Sequence, residues 1–103
     1  MRLGIVLTDD AHVTVACALM QEALKRGWQI RCFLTHRGVL ALCDSDFSHL
    51  SEHGAVNMAL CEHSFELFSG TMAPAIDVPQ SVIIGGQYQD AELVRNSDRV
   101  LVF

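Results

Sequence analysis

At 103 residues, half of them apolar, the chain is sized for one compact core, and residues 1–103 are expected to form a single domain. Twelve Asp and Glu against seven Lys and Arg give a formal net charge of -5 with no basic cluster, which argues against nucleic acid or an anionic membrane surface as a partner. No apolar run approaches the roughly 18 residues that a bilayer-spanning helix requires, and a positive mean hydropathy with only 18% charged residues favours association of the chain with further copies of itself.

Leu3 to Leu7 reads as a buried strand. It begins without the long apolar segment and small-residue cleavage site of a secretory leader, so a cytoplasmic protein is expected. Thr8-Asp9-Asp10 supplies turn and N-cap chemistry for a helix from Ala11 to Arg26, in which Ala16, Leu19, Met20, Ala23 and Leu24 recur at helical spacing. Lys25 and Arg26 suit the negative end of that helix, and Gly27 suits a left-handed stop. Trp28 to Leu34 has the apolar and aromatic content of a second strand, which completes a β-α-β unit and implies a parallel sheet.

Thr35-His36-Arg37-Gly38 is expected to be a loop. Val39 to Cys43 and Asp46 to His53 read as short helices, the second closed by Gly54. Ala55 to Leu60 is the third strand, Cys61 follows it directly, and Glu62 to Phe68 continues as a short helix. Thr71 to Gln80, with Pro74 and Pro79, is the least regular stretch. Ser81 to Ile84 reads as a strand, Gly85-Gly86 as a tight turn, Asp90 to Arg95 as a helix and Arg99 to Phe103 as the last strand. Five strands alternating with helices indicate a three-layer α/β fold with a mainly parallel five-stranded sheet, whose functional groups gather beyond the carboxyl ends of the strands.

The four cysteines lack C-x-x-C spacing and read as free thiols. Cys17 and Cys32 fall among apolar neighbours and are assigned to the core. Cys43, in a polar stretch, is the candidate second or resolving thiol. Cys61 stands at a strand-to-helix junction, where backbone N–H groups favour thiolate and so favour a nucleophile. Glu62 beside it opposes ionisation by its charge, whereas the ring of His63 can assist it; His36, in the loop after the second strand, is a further candidate support. The competing reading is that Cys61 is a small apolar residue ending a core strand.

Other chemistries fit less well. His49 and His53, four apart with Glu52 between them, can share a helix face, but they lack H-E-x-x-H order and a third ligand, and no metal is assigned. The turn Leu7-Thr8-Asp9-Asp10-Ala11-His12 has no glycine to admit a pyrophosphate and carries two carboxylates that repel one, so no nucleotide cofactor is expected. Ser64 has no G-x-S-x-G elbow around it.

Four segments in order resemble the DsrE/DsrF-like family of sulfur-relay proteins, the group that includes TusD- and YchN-type proteins. Glu22 to Ile30 (EALKRGWQI) is similar to that family's EALKRGHEV passage, and Phe33 to Val39 (FLTHRGV) to its aromatic strand end and following loop. Glu52 to Cys61 (EHGAVNMALC) resembles the passage that carries the persulfide-accepting cysteine, and Ser97 to Phe103 (SDRVLVF) resembles the DRVV-F ending. The chain departs from the pattern at Glu62-His63-Ser64-Phe65-Glu66, where relatives have an Ala-rich, Arg-containing helix start, and at Gly85-Gly86-Gln87-Tyr88.

The resemblance implies a flavodoxin-like, YchN-type fold, assembly into a homotrimer or hexamer, and a sulfur carrier with sulfurtransferase-like activity. Cys61 would hold a persulfide taken from a donor protein and pass it to an acceptor protein, without a cofactor. A non-catalytic oligomeric subunit that binds a relay partner is the alternative, followed by a metal- or small-molecule-binding protein using His49, His53, His63 and Cys61.

Overall fold

The computed structural model describes residues 1–69 and 76–103. Among the described residues five strands alternate with four α-helices: β1 (Arg2–Leu7), α1 (Val13–Lys25), β2 (Gln29–Leu34), α2 (Ser45–Leu50), β3 (Val56–Cys61), α3 (Glu62–Ser69), β4 (Ile83–Gly85), α4 (Gln87–Asn96) and β5 (Arg99–Val102). The strands form one sheet in the order β4-β3-β2-β1-β5, and every neighbouring pair is parallel. From β1 the chain steps outward to β4 and then returns to lay β5 on the far side of β1. Crossovers of one hand therefore put α1, α2 and α3 on one face and α4 on the other. This is the three-layer α/β architecture expected from the strand and helix pattern, consistent with the flavodoxin-like fold that the resemblance implies, and its sheet is wholly parallel.

Alternation along the strands divides the core in two. Ile5, Leu7, Ile30, Leu34, Met58 and Leu60 point to the α1 face and pack with Ala16, Met20, Ala23 and Phe47. Val6, Phe33, Ala59 and Cys61 point to the other face, where they meet Leu93, the buried residue of α4. The second face is thus the thinner layer, covered by one ten-residue helix.

Several boundaries differ from the sequence expectation for identifiable local reasons. The segment before α1 starts as a 3-10 turn, Asp10–His12, because the Asp9 carboxylate accepts the Ala11 N–H at 3.0 Å and closes a tighter turn. After β2 the chain does not form an open loop; His36–Cys43 is one 3-10 segment, with Gly38 to Leu42 buried. Gly38 is required there, since a Cβ would collide with the backbone carbonyl of Leu7. α2 begins earlier than expected, with the Asp44 carboxylate accepting the Phe47 N–H at 3.0 Å, and it ends at Leu50, so His53 lies beyond it. There His53 Nδ1 accepts the Ala55 N–H at 3.0 Å, and Gly54 does not adopt the left-handed conformation. Gly27 does, with φ 75°, and ends α1 as expected. α4 starts at Gln87 because Gln89 folds back to accept the Gly86 N–H at 2.8 Å. The irregular stretch expected over Thr71 to Gln80 lies in part outside the described residues.

Candidate functional site

Cys61 is the last residue of β3, in register with Gly85 of β4, and α3 starts at the next residue. It therefore occupies the N-cap position of α3, where a side-chain acceptor meets the N–H groups two and three residues on. The sulfur suits this role, and the backbone N–H groups of His63 and Ser64 and the hydroxyls of Ser64 and Thr35 favour its thiolate. Burial, with 9% of the residue exposed, acts on the thiol most strongly and raises its pKa. These four donors together outweigh it and hold the thiol below its ordinary value of 9.0.

Ser64 organises this corner. Only 6% of it is exposed, and its Oγ accepts the His36 N–H at 2.8 Å, with Thr35 Oγ1 at 3.5 Å. His36 meets it from a left-handed backbone conformation, φ 51°, which is uncommon for a residue with a Cβ. The His36 ring stands edge-on to Phe68 of α3 with centroids 5.4 Å apart, and the Arg37 guanidinium lies 6.0 Å from the same ring while pairing with Asp10 at 3.2 Å. The segment after β2 is thus fastened to both α3 and the start of the α1 region.

The residues singled out in the sequence separate here. His36 acts on Cys61 through its backbone and Ser64. His63 acts through its backbone N–H, while its ring and the Glu62 carboxylate are exposed and do not figure among the main influences on the thiol. Cys43 is exposed at the end of the 3-10 segment and opens onto a groove with Ser48, His49 and Glu52 that Cys61 does not line. Burial pushes the Cys32 thiol up to about 12, and burial with the nearby Asp44 and Asp46 carboxylates raises that of Cys17. Among the described residues no three His, Cys, Asp or Glu side chains converge to hold a metal ion.

Thr35 and Ser64 are the site residues that sequence reasoning passed over. Their signal was positional: Thr35 follows the last residue of the strand beside β3, and Ser64 is the third residue of the helix that Cys61 caps.

Neither a family model nor a curated protein matches this chain. The functional reading accordingly rests on the chemistry of the Cys61 corner.

Proposed function

We propose that the chain is a sulfur carrier of the DsrE/DsrF-like kind, holding a persulfide on Cys61. The observation that carries this reading is a thiol at the junction of β3 and α3, beside the Ser64 hydroxyl, held below its ordinary value by the donors around it. Cys61 thiolate attacks the outer sulfur of a donor protein's persulfide; the donor's S–S bond breaks, and the donor leaves as thiolate. An acceptor thiolate then attacks the outer sulfur on Cys61, and Cys61 departs as thiolate. One sulfur atom moves in each step with no net oxidation, so no cofactor is required. Because its working group is a reduced thiol, the carrier belongs in a reducing compartment, which supports a cytoplasmic location; among the described residues, no helix is long and apolar enough to cross a membrane.

Self-association into a trimer or hexamer is part of the same proposal. It is supported by apolar side chains left open on β4, α4 and β5: Ile83, Ile84, Val94, Val100, Leu101 and Val102. This same surface favours the second reading, an oligomeric subunit that binds a relay partner while Cys61 stays unmodified.

The test is to incubate the chain with a persulfide-loaded donor and weigh it intact. A gain of one sulfur atom, absent in Cys61→Ser, is expected; no gain, or a gain that persists in Cys61→Ser, refutes the carrier and leaves the partner-binding subunit.

A further inference from the structure

A polar row interrupts the α4 face of the sheet. In a parallel sheet covered on both faces the central strands are expected to be apolar throughout, yet β2 and β3 carry Arg31 and Asn57 opposite one another in the ladder, with Gly4 of β1 on the other side of Arg31. Arg2 and Gln29 form the next row toward the amino ends of the strands. Above these residues the C-terminal end of α4 brings Asn96 and Ser97, and together they line a cleft of about 440 Å³. Beyond it on the same face lies the apolar cluster of Val6, Phe33, Ala59, Cys61 and Leu93.

Two side chains in this cleft are unsatisfied. Arg31 is half-buried and makes no ion pair or side-chain hydrogen bond among the described residues. Ser97 Oγ is buried and has no hydrogen-bond partner among them. The Arg31 guanidinium faces the open cleft with no protein carboxylate answering its charge, which leaves it available to an anionic ligand, and the buried Ser97 hydroxyl without a partner is costly.

The charge distribution selects the sign of that acceptor. Acids outnumber Lys and Arg by twelve to seven along the chain, yet no Asp or Glu lines the cleft, while two arginines do. The nearby carboxylates already have partners: Asp98 pairs with Arg2 at 3.2 Å, and Glu92, which shares the adjoining hollow with Arg31 and Asn57, accepts from Asn96 Nδ2 at 3.0 Å and faces Arg95 at 4.0 Å. The partial negative charge at the end of α4 accounts for cations nearby, but it does not account for a guanidinium left without an acceptor.

From these observations we infer that the cleft binds a small organic oxyanion, a phosphate ester or a carboxylate, with Arg31 as its principal anchor and Asn57 as a hydrogen-bond donor. A planar guanidinium fork matches either group in bidentate fashion, and the cleft has room for an organic body beyond the anion. The site is separate from Cys61: the four residue steps along β3 from Asn57 to Cys61 span about 13 Å.

The test is calorimetric titration of the full chain at low salt with phenyl phosphate, inorganic phosphate and benzoate, with benzyl alcohol as the uncharged control. Saturable binding of phenyl phosphate or benzoate is expected, whichever binds more tightly naming the head group, and inorganic phosphate should bind more weakly than phenyl phosphate. Arg31→Gln should weaken it by about tenfold or more, and Arg31→Lys, which keeps the charge but loses the fork, by less. Asn57→Ala is the second variant should Arg31→Gln not fold by circular dichroism. Three results overturn the inference: no saturable binding of any oxyanion, equal affinity in the folded Arg31 and Asn57 variants, or a change in sedimentation of Arg31→Gln showing that another copy fills the cleft.

Discussion

Ser64 Oγ lies 2.8 Å from the backbone nitrogen of His36 and accepts its N–H, which leaves the Ser64 proton to be donated to the Cys61 sulfur. One hydroxyl thus joins the loop after β2, the first turn of α3 and the thiol. Ser64→Ala deletes the donor to the thiolate and strands the His36 N–H. The midpoint of Cys61 alkylation against pH is expected to move upward, and stability in denaturant to fall by about 1 to 2 kcal/mol. Ser64→Thr keeps the hydroxyl and should keep the wild-type midpoint; a midpoint unmoved in Ser64→Ala would show that the hydroxyl does not act on the sulfur.

The lowered Cys61 pKa has a consequence for stability. Its folded value lies below the 9.0 of the free thiol, so the folded chain binds fewer protons between those two values. The stabilisation it contributes is fully present above pH 9 and is lost as pH falls through the folded pKa. Unfolding of the native chain and of Cys61→Ser, compared across pH 6 to 10 (about the span of an ordinary thiol titration), should show the native chain gaining relative stability with rising pH. A difference that does not vary with pH would rule this out.

The four thiols should react in a fixed order. Exposed Cys43 and the hydrogen-bonded Cys61 are alkylated in the folded protein, half-buried Cys17 more slowly, and Cys32 only after unfolding, since burial pushes it up to about 12. Peptide mapping after timed iodoacetamide treatment at neutral pH reads the order directly, and early labelling of Cys32 would contradict its burial.

Leu93 is 2% exposed and is the single buried residue of α4, which it holds against Val6, Phe33 and Ala59. Leu93→Ala should cost about 3 kcal/mol and loosen α4 before the rest of the fold. Hydrogen exchange would register faster amides over residues 87–96 than over α1, while equal acceleration of both helices would indicate that the two layers melt together.

The fold was legible because its signals are local and periodic. The apolar spacing of α1, the stop at Gly27 and the apolar runs of β1 to β3 each bias a short segment toward one conformation, and their alternation leaves few ways to build a sheet. The boundaries that moved did so where a side chain captured a backbone group, as Asp9, Asp44 and Gln89 do, or where packing required a close approach, as at Gly38 against Leu7.

The sequence by itself determined that a cysteine would fall at the end of the third strand, ahead of a helix, because strand and helix patterns meet at that residue. It could not decide which neighbours act on the thiol. Glu62 and His63 adjoin Cys61 in the chain, yet their side chains point to solvent, while Thr35 and Ser64 meet the sulfur because β2 and β3 are parallel neighbours and α3 folds back over the sheet edge. Only the tertiary structure also turned Arg31 and Asn57, polar residues in largely apolar strands, into one row across a face. Chain adjacency sets covalent neighbours; hydrogen bonding and charge depend on distance in space, which the packing of strands and helices decides.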